Sequence, residues 1–346
     1  MLMVIFGAGA SFDSLGDKRP QSFKSDIRPP LANGLFEMRG PFGPALTAFP
    51  QFRALIPQLR AAKNIEHELE VLRSEQDTDP YRAVQLNAIR YYLRQVITVC
   101  SQSFANETHG VTNYASLLER IRHWQVSSGE PVALVTFNYD TLLEDACHEV
   151  FEFQASSLHS YIANTHYKVF KPHGSINWVR IVDNELEPTN EHVEHRLIRL
   201  GKDLRLRPGQ HINAGSTMEG HYTFPAIAIP VETKSESEFE FPESHLKELR
   251  DAIRQTSRLL MIGWRGTEQH FLNLWKAGAA RHLKRIQIVA GTRNDAEEVY
   301  KNIGIATQAS CKLSADGFSE FVLTDELDDF LSPFSSLEVF FGTPLP

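Results

Sequence analysis

The stretch that decides the fold is Leu2-Met3-Val4-Ile5-Phe6 followed by Gly7-Ala8-Gly9-Ala10-Ser11. Five apolar residues without polar alternation read as a strand buried on both faces, as in parallel sheets covered by helices. Two glycines directly after such a strand mark a tight strand-to-helix turn. Backbone can approach a diphosphate closely at such a turn, and helix-start N–H groups attract anions. A full dinucleotide fingerprint needs a third glycine at position 12, where this chain has Phe12. A tight turn with no ligand role is therefore the alternative.

Further along, the same signature recurs. Val132-Ala-Leu-Val-Thr-Phe137, Arg258-Leu-Leu-Met-Ile262 and Ile286–Ala290 are predominantly apolar and read as strands, and helical patterns follow each near 140–151, 268–282 and 294–303. A strand near 166–171, another over Phe224–Pro230, a helix near 243–257 and a last short strand and helix complete the series. Residues 181–222 are polar and read as a surface excursion or hairpin, and 233–242 as an acidic loop. Between about 31 and 125, apolar residues instead recur at helical spacing, for example Ile65, Leu69, Leu72 and Leu117, Leu118, Ile121. The fold class is thus α/β, with a Rossmann-like parallel sheet core and helices on both faces. The core spans about 1–35 and 130–335, a helical insertion lobe about 36–129, and a C-terminal tail 332–346.

Four turns follow the strands. Thr136-Phe137-Asn138-Tyr139-Asp140 ends the second strong strand, where side chains project into the ligand crevice of such sheets. Asn138 can hold a water or a ribose hydroxyl through its amide; Asp140 can cap the next helix or accept from a carboxamide. Lys171-Pro172-His173-Gly174-Ser175 offers a histidine able to exchange a proton near neutral pH, or one that is merely structural. Gly263-Trp264 and Gly291-Thr292 follow later strands, where Gly263 and Thr292 could border the adenosine half of a dinucleotide, with capping and turn chemistry as the plain alternative.

Composition narrows the classes. The 346 residues are 42% hydrophobic and 23% charged, an ordinary globular balance. Acids outnumber bases 43 to 35, for a net charge of -8, which argues against a dedicated nucleic-acid surface. The apolar opening run lacks the length and basic flank of a signal peptide, and no run reaches the roughly 18 residues of a membrane span. Cytoplasmic location is the expectation, with no membrane partner. Three cysteines, Cys100, Cys147 and Cys311, contain no CxxC pair and cannot build a four-cysteine zinc site. His192-x-x-His195 beside Glu191 and Glu194 lacks His-Glu-x-x-His spacing and reads as a solvated face.

Taken together, Gly7-Ala-Gly-Ala-Ser11, Thr136-Phe-Asn-Tyr-Asp140, His173-Gly174 and Gly263 resemble the sirtuin-like superfamily in order and spacing. Asn-Tyr-Asp, Lys171-x-His-Gly-Ser175, Arg28-Pro-Pro-Leu31 and the Asn64-Ile-Glu-His-Glu-Leu69 helix look most like bacterial sirtuin-like effectors of anti-phage defence. The resemblance implies NAD+ as substrate. Residues Gly7, Ala8, Gly9, Ala10 and Ser11 would hold the diphosphate, with Arg28 as a phosphate contact. Asn138 would position the water or nicotinamide ribose, His173 the ribose hydroxyls, and Asp140 the carboxamide. Protein-deacetylating sirtuins carry a zinc module after the catalytic histidine, whereas here only Cys311 follows His173. The resemblance therefore favours NAD+ hydrolysis without zinc; an NAD+-dependent protein deacylase or ADP-ribosyltransferase, or a non-catalytic sensor of NAD+ or ADP-ribose, are the alternatives. It further implies gating by homo-oligomerisation or by an activating partner such as a HerA-type ATPase or an Argonaute-like protein. The helical lobe and the tail (Phe334, Leu337, Val339, Phe340, Phe341) are the candidate contact surfaces, and packing of the tail on its own core is the alternative.

Overall fold

A computed structural model describes residues 1–15, 28–38, 40–214, 221–231, 239–278, 283–304 and 309–334. Among the described residues, nine strands lie in two sheets. In chain order they are β1 Leu2–Phe6, β2 Val132–Thr136, β3 Tyr167–Phe170, β4 Gly174–Val182, β5 Leu206–Asn213, β6 Tyr222–Ile227, β7 Arg258–Ile262, β8 Arg285–Val289 and β9 Ser310–Ser314.

The larger sheet runs β3-β2-β1-β7-β8-β9 and is parallel throughout. β1 is central: Leu2 faces Val132 on one side and Arg258 on the other. All five of its residues are buried, because both faces of the sheet are covered. Counted within this sheet alone, the order is the doubly wound 3-2-1-4-5-6. The direction of winding reverses at β1, so the ligand crevice of such a sheet opens outside the carboxyl ends of β1 and β7. This is a mixed α/β, Rossmann-like architecture flanked by helices.

The strand expected at Phe224–Pro230 belongs elsewhere. It is β6, paired antiparallel to β4, with β5 on the other edge of β4. The polar stretch 181–222 thus holds the end of β4, the helix Val193–Arg199 and β5. β5 is half-exposed and carries Pro208 and Gly209, so it lacks the apolar alternation that marks a strand.

Among the described residues, two hydrophobic clusters form. The first holds the parallel sheet together with Tyr114, Leu117, Leu118 and Ile121 of the helix Asn113–Ser128. The second joins residues 35–100 to the small sheet, with Ile176, Val182, Phe224 and Ile227 packed against it. The 28-residue helix Tyr81–Thr108 belongs to both: Leu86 to Cys100 sit in the second cluster and Phe104 in the first. The stretch 36–129 is therefore shared between clusters. Among the described residues, no helix is long and apolar enough to cross a membrane.

At the amino ends of β7 and β8, Phe334 lies over the guanidinium of Arg258 at 3.8 Å and near Lys284 and Arg285. Leu337, Val339, Phe340 and Phe341 fall outside the described residues.

Candidate active site

The site begins where two turns touch. Gly9 N donates to Gly263 O at 3.0 Å, bringing the turn after β1 against the turn after β7. A Cβ on Gly7 would come within 2.5 Å of Gly263 O, and one on Gly263 within 2.3 Å of Ala10 N. Gly263 also has φ +58°, a left-handed conformation that disfavours side chains. Backbone-on-backbone packing therefore requires these glycines whether or not a ligand binds. The Gly9 and Ala10 N–H groups are engaged internally, the latter by Gly7 O at 2.9 Å. Anion binding at this turn would then rest on Ala8 at its tip and on Arg28 beside it. Arg28 is buried, donates from Nη1 to Phe12 O at 3.4 Å and stacks over the Phe12 ring.

Asn138 projects from the end of β2 into the same corner. Its Nδ2 donates to Gly7 O at 2.9 Å and Ser11 Oγ at 2.8 Å, with Tyr114 Oη at 3.3 Å. A carbonyl can only accept, so Gly7 O fixes which end of the amide is which. Oδ1 then has no hydrogen-bond partner among the described residues and is the end left for a ligand or water. Ser11 Oγ and Tyr114 Oη, 3.0 Å apart, complete the cluster. Burial and the neighbouring Asp140 carboxylate push the Tyr114 hydroxyl well above its ordinary pKa, so it stays a neutral donor. Sequence reasoning missed Tyr114: it lies three residues before Leu117 on the same helix face and looks like core.

Asp140 is buried, and its Oδ1 accepts from the N–H of Leu142, the first residue of the helix Leu142–Phe151, at 3.1 Å; the N-cap position itself is Thr141. Desolvation raises its carboxyl pKa, against the opposing pull of Lys171. Lys171 is wholly buried; its Nζ donates to Glu144 Oε1 at 2.8 Å and to the carbonyl of Asp140. Tyr161 Oη donates to the same Glu144 oxygen at 3.2 Å.

His173, also buried, packs its ring 4.9 Å from that of Phe137 and 6.2 Å from that of Tyr139. Gly174 beside it has φ +82°, and a Cβ there would lie 1.9 Å from Ala226 O. The group that approaches Gly174 is thus β6 backbone, and this contact sets where His173 stands.

These turns open onto a cavity of about 640 Å³. Gly7, Ala8, Gly9, Ser11, Arg28, Asn138, Asp140, His173, Gly263 and Trp264 all line it. Ala10 and Thr292 do not: Ala10 is buried, and Thr292 Oγ1 caps the helix Arg293–Ile303 by accepting from Asp295 N at 3.2 Å. Gly291 and Asp295, on either side, do line it. Trp264 stacks on Phe137 with ring centroids 5.4 Å apart and donates from Nε1 to Glu268. One wall comes from the helix Ile65–Ser74, whose Glu66 pairs with Arg265 Nη2 at 2.7 Å. Sequence reasoning passed over this pair, because its members lie 199 residues apart.

Residues 132–307, just over half of the chain, match the family model described as a SIR2-like domain. The chain belongs to the SIR2-like domain family. The part of this SIR2-like domain that matches holds Asn138, Asp140, His173 and Gly263; the turn after β1 and Arg28 lie before it. No curated protein matches the chain. Among solved structures, it is similar to a Sir2 homolog–NAD complex at 14% identity, covering 96% of this chain and 90% of that one, with a TM-score of 0.38. It is also similar to Sir2Tm bound to a propionylated peptide, at 13% identity, 96% and 94% coverage and a TM-score of 0.39. A third is a structure on the basis of sirtuin substrate affinity, at 15% identity, 95% and 93% coverage and a TM-score of 0.37.

Proposed function

We propose that this SIR2-like protein is an NAD+ glycohydrolase that splits NAD+ into nicotinamide and ADP-ribose. The observation that carries the reading is Asn138: Gly7 pins its amide nitrogen, which leaves Oδ1 as an acceptor on a cavity wall shared with His173. The cavity volume, about 640 Å³, falls in the range of about 300–1,000 Å³ usual for ligand sites.

NAD+ is the substrate in this reading. Its leaving group is already a cationic pyridinium, so the site needs little acid catalysis. What it must supply is stabilisation of positive charge developing on the ribose and an oriented water. Asn138 Oδ1 suits the orienting task, because Gly7 O, Ser11 Oγ and Tyr114 Oη surround the amide nitrogen and hold its two N–H donors before any substrate arrives. His173 suits contact with ribose hydroxyls, and Asp140 accepts from the carboxamide N–H. Arg28 offers the cation for the diphosphate, since the protein's net charge of -8 does not attract it.

With three cysteines in the chain, a four-cysteine zinc module cannot form, which favours hydrolysis over protein deacylation. A constantly active NAD+ hydrolase would kill its host. We therefore read the protein as an effector of anti-phage defence, acting by NAD+ depletion and gated by self-assembly or by a HerA-type or Argonaute-like partner.

The test is product analysis of NAD+ incubated with the chain, alone and with its genomic neighbour's product. Nicotinamide and ADP-ribose are expected, and Asn138→Ala and His173→Ala should each abolish them. Full turnover in both variants overturns the site. Products that appear only with an acyl-lysine peptide would replace hydrolysis by deacylation.

A further inference from the structure

We infer that Lys171 is the positioning residue of this site, tying together the two turns that carry Asn138 and His173; the inference rests on the NAD+ glycohydrolase reading. Lys171 reaches both turns at once. Its side-chain Nζ donates to the carbonyl of Asp140, in the Asn138–Asp140 turn. Its own carbonyl accepts from Gly174 N at 2.9 Å, closing the turn that presents His173. A separate link, Ile176 N to Tyr139 O at 3.0 Å, ties the same two segments through backbone alone. Lys171 adds the side-chain tether, at the point nearest Asp140.

The energetics argue that stability is not why this charge is here. Lys171 is wholly inaccessible and Glu144 nearly so. Taking both charges out of water costs about as much as their attraction returns, and apolar residues of similar volume usually serve a fold as well or better. A pair selected for strength would also saturate both carboxylate oxygens. Here Oε1 accepts from Lys171 and Tyr161, while buried Oε2 has no hydrogen-bond partner among the described residues. What the ammonium does, which an apolar side chain cannot, is grip the Asp140 carbonyl from behind while Glu144 fixes its place. The pull of Lys171 on the Asp140 carboxylate comes with that position.

The experiment uses the full chain in whatever assembly turns over NAD+. It compares Lys171→Met, Glu144→Gln and the double variant by melting temperature, steady-state kinetics and hydrogen exchange of the peptides covering 137–145 and 171–178. Lys171→Met alone leaves Glu144 buried without its partner and should melt early. The double variant removes both charges and should recover the wild-type melting temperature. Its kcat for nicotinamide release should nevertheless stay down by about 100-fold, with KM within about threefold, the pattern of a lost aim. Exchange at 137–145 should be faster than in wild type.

If the double variant regains kcat together with its melting temperature, the pair is structural and the inference falls. Unchanged exchange at 137–145 in a stably folded double variant also overturns it. A wild-type chain that releases no nicotinamide overturns the glycohydrolase reading instead, and the exchange comparison then still decides whether Lys171 holds the turn.

Discussion

Asn138 Nδ2 donates to the carbonyl of Gly7 at 2.9 Å, joining the ends of β2 and β1 across 131 residues of sequence. That bond makes the amide directional, and its failure is predictable. Asn138→Asp keeps the shape but sets an acceptor against the Gly7 carbonyl. An unmatched buried acceptor costs about 1–3 kcal/mol, and more when it is charged. The Asp variant should therefore unfold at lower urea than Asn138→Ala, although it is the closer isostere. Both should lose nicotinamide release by at least about 100-fold. An Asp variant as stable as wild type would mean that the amide is not held as described.

The contact between the two glycine turns supplies a second prediction. Gly263→Ala meets both a positive φ and an Ala10 nitrogen 2.3 Å away, and neither can yield without moving a turn. A loss of more than about 2 kcal/mol is expected from denaturant unfolding. Gly291→Ala is the matched control. It too lines the cavity, yet nothing lies within 4 Å of its added Cβ. It should change stability by less than about 0.5 kcal/mol.

Glu66 and Arg265 join the helix Ile65–Ser74 to the turn after β7 across the cavity wall. Arg265 is largely exposed, so the pair contributes about 0–1 kcal/mol to folding and its loss should leave the melting temperature nearly unchanged. Its effect should appear in binding. Arg265→Ala should raise KM for NAD+ by about fivefold with kcat unchanged, because the wall is no longer fastened. Added salt should raise KM in wild type and less so in the variant, since screening removes the same pair. A fall in kcat with KM unchanged would place Arg265 in the chemistry instead.

How much of this was legible follows from burial on one face or two. β1, β2 and β7 are apolar on both faces and stand out as uninterrupted runs. The glycines and polar residues directly after them mark a crevice, which is why Gly7, Asn138 and Gly263 can be read from sequence; His173 follows the shorter, half-exposed β3 and is legible from its Lys-Pro-His-Gly-Ser turn instead. β5 is half-exposed and interrupted by proline, so its pairing with β4 carries no periodic trace. Lys171 has the opposite problem. A lysine at a strand end reads as solvated, and only its meeting with Glu144, 27 residues away, explains a buried one. Tyr114 and Arg265 likewise acquire their roles from partners far along the chain. A local pattern encodes an element and its face, whereas a polar pair between elements exists only once topology has joined them.

The last prediction concerns acid. His245 is buried against Tyr161 and Trp178, and one ring nitrogen, Nε2, lies 2.8 Å from the carbonyl of Leu158 and donates to it. Burial lowers its pKa from the ordinary 6.5 to about 4. Between those values the unfolded chain binds a proton that the folded chain refuses, so stability falls as pH falls. The contribution is fully present above pH 6.5 and is lost as pH drops through 4, about 3 kcal/mol in all at 1.36 kcal/mol per unit. Urea unfolding at pH 7, 6, 5 and 4.5 should show the midpoint falling steadily. His245→Phe leaves the Leu158 carbonyl without its donor and should be less stable at pH 7 by about 1–3 kcal/mol. Its stability should fall less steeply over the same range, so the gap between the two proteins narrows with acid. A gap that stays constant would show that His245 titrates normally in the folded protein.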